Sequence, residues 1–108
     1  MKTDKSGQSV RKPVAAGLFY PAEPLVLKAQ ITKLLEGPSR LDSRRIAAMV
    51  VPHAGYSYSG LTAALAYREI RQSPFARVVV ISPSHRDFFH GVSVYPGDWY
   101  ESPLGRIE

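Results

Sequence analysis

Two histidines follow two apolar segments of the chain in similar settings. His53 comes directly after Val51-Pro52, and His85 comes directly after Ile81-Ser82-Pro83-Ser84. Parallel strands that neighbour each other have their carboxyl ends at one edge of the sheet, where open α/β sheets bind ligands. If both segments are such strands, the two imidazoles converge. Neutral imidazole is a ligand for iron, copper and zinc, so the sequence predicts His53 and His85 as metal ligands. We expect iron(II) or copper, with zinc as a further alternative.

The residues around the histidines are typical of a functional loop. Pro52 restricts the backbone before His53, and Gly55 allows a tight turn or the close approach of a ligand. We expect three nearby side chains, which carry hydroxyl groups, to contact a substrate: Tyr56, Tyr58 and Ser84. The alternative for the two tyrosines, that their rings cap the core, is equally well supported.

A third metal ligand has no diagnostic spacing in this sequence. The local candidates are Asp87, His90, Asp98 and Glu101. A ligand from sequence outside these 108 residues is an equal alternative. Two histidines and one carboxylate would form the facial triad of non-haem iron(II) oxygenases.

The elements that must position these residues follow from apolar patterning. Apolar residues at helical spacing predict helices over 23–36 and 60–72, the second with Ser59 as its N-cap. Continuous apolar runs predict strands over 46–51 and 77–82, and alternation predicts a third over 92–95. Strand, helix and strand together predict a βαβ core. The expected fold class is α/β, with a parallel or mixed sheet and flanking helices.

The expected domain organisation is a flexible basic tail over 1–12 followed by a partial α/β domain over 13–108. Two helices hardly cover both faces of such a sheet, and open strand edges recruit other chains. We therefore expect the N-terminal part of a larger α/β domain, and a homo-oligomer as one way of covering its edges.

Composition excludes several classes of protein. The chain has no cysteine, so a disulfide framework and a thiolate zinc site are excluded. The net charge is +5, but much of this excess lies in the first twelve residues. Aromatic residues are not interleaved with the basic ones, so we do not expect nucleic-acid binding. Neither a membrane span nor an apolar signal segment is evident. We expect a cytoplasmic protein that does not bind membranes.

Four segments of the chain together resemble the Memo family, known in bacteria and archaea as protein B of the AmmeMemoRadiSam system. These segments are 11–21 (RKPVAAGLFYP), 51–60 (VPHAGYSYSG), 81–85 (ISPSH) and 102–105 (SPLG). Ser82 stands where the family often has glycine, and Ser102 where threonine is usual. The resemblance begins near residue 11 and covers about the first third of a family member.

The resemblance implies a fold similar to that of class III extradiol dioxygenases, which surrounds a non-haem iron. It implies that His53 and His85 match two members of a metal site whose other histidine and cysteine ligands lie in downstream sequence. It also implies other proteins of the AmmeMemoRadiSam system as partners.

Three functions remain open at this point. The first is metal-dependent redox or dioxygenase-like chemistry in a longer form of the protein, with these 108 residues inactive alone. The second is a non-catalytic module that binds a peptide or small ligand, as in signalling. The third is a structural interaction domain. Whether the protein is an enzyme therefore stays undecided.

Overall fold

The computed structural model describes residues 3–40 and 46–108, and its architecture is α/β. Two helices accompany a mixed three-stranded sheet. The helices are α1 (Pro24–Leu34) and α2 (Tyr56–Ile70); the strands are β1 (Val10–Arg11), β2 (Trp99–Ser102) and β3 (Gly105–Ile107). Strand β2 is the central strand of the sheet. The predicted fold class, with a mixed sheet and flanking helices, is confirmed.

Helix α1 lies within the predicted range, and its first turn is well capped. The Glu23 carboxylate accepts hydrogen bonds from the N–H groups of Leu25 and Val26, at 3.1 and 2.7 Å. Pro24 occupies the first turn, where its missing N–H costs nothing. Leu27 on this helix is one of the few buried apolar residues of the described chain.

Helix α2 begins four residues earlier than predicted, so the expectation that Ser59 is its N-cap was wrong. Gly55 is the N-cap and supplies no side-chain hydrogen bond. The carbonyl of Phe19 accepts from the N–H of Tyr56 at 2.8 Å. This contact satisfies one of the free N–H groups at the start of the helix, which explains how α2 begins without a capping side chain.

Two arginines of α2 satisfy carbonyl groups at the end of α1. The guanidinium of Arg68 donates twice to the Leu34 carbonyl, at 2.7 and 3.2 Å. Arg71 donates to the Leu35 carbonyl at 2.9 Å. Carbonyls at a helix end lack partners within the helix, so these bonds fix the C-terminal end of α1 against α2.

The sheet joins the beginning of the chain to its last described residues. Val10 in β1 pairs with Trp99 in the parallel strand β2, and β2 pairs with β3 as an antiparallel hairpin. Ser9 and Val10 are buried. Val10 and Arg11 form β1, at the end of the range 1–12 over which the sequence predicts a flexible tail. The division of the chain into a tail and a domain stays a prediction. Asp98 supplies hydrogen-bond partners for the neighbouring Ser9, and the local sequence does not reveal this contact.

The predicted strands over 46–51, 77–82 and 92–95 were wrong, because none of them is a strand in the described structure. Their side chains are largely exposed, with Val50 at 99% and Ile81 at 91%. A strand requires a neighbouring backbone to complete its ladder of hydrogen bonds, and no described segment pairs with these runs. An apolar pattern indicates that a segment suits a sheet, but it does not show which other segment would pair with it.

Little of the described chain is buried. The buried apolar side chains are Val10, Leu27 and Ala64, and many larger ones are exposed. Among the described residues, no helix has both the length and the apolar character that a membrane span requires.

Candidate functional site

The side chains of His53 and His85 meet. Their Nε2 atoms lie 3.1 Å apart, with the ring centroids at 5.2 Å and the ring planes tilted by 34°. Both residues are exposed. The convergence of the two rings was expected from their places after two parallel strands. It occurs although those segments form no strands, since Val51 and Ile81 nevertheless line one cavity against α2.

The separation of the two nitrogens allows two chemical arrangements. One neutral ring can donate its Nε2 hydrogen to the Nε2 lone pair of the other, as in an ordinary hydrogen bond. Alternatively, both lone pairs can bind one metal ion. Two nitrogens at about 2.1 Å from a metal are about 3.0 Å apart at a right angle and about 3.4 Å apart at a tetrahedral angle. The observed distance of 3.1 Å fits two neighbouring ligands.

The described residues supply no third ligand to this pair. Within residues 3–40 and 46–108, no three His, Asp or Glu side chains form a group that could hold a metal ion. Of the local candidates, Asp98 binds Ser9, Glu101 forms an ion pair with Lys12, and the His90 ring packs on Phe88.

The loop that carries His53 is anchored on both sides of Gly55. The Ser59 hydroxyl donates to the Ala54 carbonyl at 3.1 Å, and the Tyr56 N–H donates to the Phe19 carbonyl. Gly55 lies against the Phe19 backbone, where a Cβ atom would make an ordinary contact with the Phe19 oxygen at 3.4 Å. These contacts hold the chain between the histidine and helix α2. The anchoring role of Ser59 was missed in the sequence, where the same residue carries the signal of a helix cap.

The loop that carries His85 is held by its neighbour Ser84. The Ser84 hydroxyl donates to the Asp87 carbonyl at 2.7 Å and accepts from the Asp87 N–H at 3.2 Å. The sequence predicted Ser84 as a substrate contact. In the structure its hydroxyl closes a turn around His85.

A cavity of about 680 Å³ lies beside His53, between the two helices and the apolar segments. Aromatic rings line part of its wall, and the rings of Tyr20 and Tyr56 lie 5.7 Å apart. Burial raises the pKa of the Tyr56 hydroxyl above its usual value, and the nearby Tyr20 and Tyr67 add to the shift. Tyr56 is therefore a neutral phenol at physiological pH. Tyr58 is 88% exposed and lies outside the cavity lining, so the structure separates the two tyrosines that the sequence grouped together.

Comparison with known proteins gives the same assignment as the sequence motifs. The family described as Memo-like protein matches residues 11–108. The chain belongs to the Memo-like family. The matched range includes both histidines, the Phe19 and Ser59 anchors of the first and the Ser84 turn of the second.

Curated relatives of this Memo-like chain come from archaea, bacteria and an animal. A MEMO1 family protein of Methanothermobacter thermautotrophicus is 38% identical over 107 residues, which cover 92% of this chain and 39% of that protein. A MEMO1 family protein of Aquifex aeolicus is 38% identical over 102 residues, covering 92% of this chain and 36% of that protein. The protein memo-1 homolog of Caenorhabditis elegans is 37% identical over 109 residues, which cover 99% of this chain and 30% of that protein.

The Memo-like chain thus spans between 30% and 39% of the length of these relatives. No solved structure shows a significant match to it.

Proposed function

We propose that His53 and His85 are two neighbouring ligands of a transition-metal site in this Memo-like protein. The observation that carries the proposal is the 3.1 Å separation of their Nε2 atoms. The remaining ligands would come from outside the described residues, which contain no group of three ligating side chains. Iron(II) or copper is the expected metal, and zinc is the alternative, because imidazole binds all three.

A redox-active metal held by two imidazoles would supply electron transfer or oxygen chemistry to the longer protein. The residues of this chain would hold that metal at an exposed edge, where a substrate can reach it. The neutral Tyr56 hydroxyl, close to His53 in the chain, can donate a hydrogen bond to a ligand in the adjoining cavity. Without further ligands, the 108 residues should bind metal weakly and should not turn over catechols.

The proposal is tested by calorimetric titration of the 108-residue chain with iron(II) under anaerobic conditions, and separately with copper(II) and zinc(II). We expect weak 1:1 binding by the wild type and no measurable binding by a His53→Ala/His85→Ala double variant. His90→Ala is the matched control, because His90 is the third histidine of the chain and its ring packs on Phe88. Equal affinity in the wild type and the double variant would refute the proposal.

The cavity supports a second candidate function, the binding of a small apolar ligand without catalysis. Its volume of about 680 Å³ is in the range of small-molecule pockets, and Phe19, Tyr20 and Tyr67 contribute aromatic surface. A fluorescent apolar probe such as anilinonaphthalene sulfonate tests this candidate. Binding that a Tyr67→Ala variant weakens, and that metal does not alter, would favour it over the metal site.

A further inference from the structure

The orientation of the two imidazoles depends on the backbone of their loops. Ligating histidines are commonly oriented by a hydrogen bond that the second ring N–H donates to a carboxylate, a carbonyl or water. In the described part of the chain, the one hydrogen-bond contact of either ring is the Nε2 contact between them. Both side chains are exposed, so packing does not fix them either. Apart from this contact between the rings, only the main chain of the two loops brings the imidazoles to within 3.1 Å of each other.

In each loop, one serine hydroxyl binds a main-chain atom close to the histidine. Ser59 donates to the carbonyl of Ala54, the residue directly after His53. Ser84 directly precedes His85 and binds both the carbonyl and the N–H of Asp87, so that its turn encloses the histidine. The two serines lie on different segments, yet each fixes a main-chain atom within two residues of a ligating ring.

We propose that Ser59 and Ser84 are positioning residues, whose hydroxyls hold His53 and His85 in the facing arrangement that a shared metal requires. The inference rests on the proposed metal site and goes beyond it, because it assigns a role to two side chains that do not touch the metal. Ser84 then acts through the turn and not by contact with a substrate.

The chain offers a matched control for each serine. Ser57 lies two residues before Ser59 and Ser82 two residues before Ser84, and among the described residues neither hydroxyl makes a hydrogen bond that anchors a loop. The variants are Ser59→Ala and Ser84→Ala, compared with Ser57→Ala and Ser82→Ala. Ser84→Thr keeps the hydroxyl and should restore the wild-type behaviour.

The first readout needs no metal. We expect a nuclear Overhauser effect between the ring protons of His53 and His85 in the wild type, in both controls and in Ser84→Thr. It should be lost or strongly reduced in Ser59→Ala and Ser84→Ala. Retention of the wild-type signal in both of these variants would overturn the proposal. Loss of the helical circular dichroism in either variant would also overturn it, since that serine would then support the fold as a whole.

The second readout is the affinity for zinc(II) as the metal alone. Loss of a group that orients a metal ligand commonly weakens binding by a factor of about 10 to 100, and we expect a loss of about tenfold for Ser84→Ala, reversed in Ser84→Thr. If the wild type itself binds no zinc, iron or copper, the proposed function fails. The ring-proton signal then still decides whether the serines position the two rings.

Discussion

Ser9 and Asp98 form a reciprocal pair across 89 positions of the chain. The N–H and the hydroxyl of Ser9 both donate to one oxygen of the Asp98 carboxylate, each at 2.7 Å. The N–H of Asp98 in turn donates to the Ser9 hydroxyl at 2.9 Å. Because Val10 pairs with Trp99 immediately beyond this pair, the contact determines where the first strand of this Memo-like chain enters the sheet.

The attachment of β1 should weaken in acid. Hydrogen bonds from the hydroxyl and then the N–H of Ser9 hold the pKa of Asp98 below its usual value. In the segment that precedes β1, the Ser6 hydroxyl and then Arg106 hold the pKa of Asp4 well below its usual range. A carboxyl whose pKa is lower in the folded state stabilises that state above its unfolded pKa of about 3.9 and loses this effect as the pH falls. The contribution should be constant from pH 7 to about pH 5 and decline below about pH 4.

Trp99 is the single tryptophan and its indole N–H donates to the Gln8 side chain at 3.1 Å, so its fluorescence reports this attachment. We expect its emission to shift to the red on acidification, and to be shifted already at pH 7 in Asp98→Asn. Asp87→Asn is the control, because the Asp87 main chain, and not its carboxylate, binds Ser84. An Asp98→Asn variant with the wild-type emission at pH 7 would contradict the prediction.

Replacement of Arg68 should cost more stability than replacement of Arg71. Arg68 makes two hydrogen bonds to the Leu34 carbonyl in a partly buried setting, whereas Arg71 makes one exposed bond to the Leu35 carbonyl. We expect Arg68→Met to lower the free energy of unfolding by about 1–2 kcal/mol and Arg71→Met by less than about 1 kcal/mol. Urea denaturation followed by circular dichroism measures both. Equal losses would show that the buried position of Arg68 has no energetic effect.

The helices could be predicted from the sequence because their signals are local. Pro24 and the apolar spacing that follows it define α1 within two residues. The early start of α2 could not be predicted, since it depends on the carbonyl of Phe19, a residue far away in the sequence. A cap supplied by another segment leaves no pattern in the helix itself.

The strands could not be predicted from the sequence, because a strand depends on pairing with another segment of the chain. The runs 46–51 and 77–82 are apolar enough for buried strands, but no described segment pairs with either of them. The three strands that do form in the described structure are short and partly polar, and the pairing of β1 with β2 follows from contacts such as that of Ser9 with Asp98. The convergence of His53 and His85 was predicted from two adjacent parallel strands, and the rings meet although those strands do not form.

Replacement of Gly97 by alanine should destabilise the protein, because the Tyr95 ring occupies the space that a Cβ atom would need. A Cβ atom on Gly97 would lie 2.2 Å from both the Cζ atom and the hydroxyl oxygen of Tyr95. The Tyr95 ring packs edge-on against Tyr100, at a centroid distance of 5.1 Å, so moving it breaks this contact. We expect Gly97→Ala to destabilise the protein by about 1–3 kcal/mol. A double-mutant cycle measured by thermal denaturation tests this explanation. In the Tyr95→Leu background, Gly97→Ala should cost much less stability, and equal costs in both backgrounds would contradict the steric explanation.

The apolar segments around the candidate site should make the 108-residue chain self-associate. Val50 is 99% exposed and Val79 85% exposed, and both lie in runs whose backbone pairs with no other described segment. Unpaired backbone next to uncovered apolar side chains recruits other chains. We expect light scattering at micromolar concentration to detect dimers or larger species, and a Val50→Lys/Val79→Lys variant to shift the distribution towards the monomer. Val14→Lys is the control, because Val14 is 81% exposed but lies outside both runs. If the wild type is a monodisperse monomer, these segments do not act as a docking surface, and the structural-interaction role loses its support.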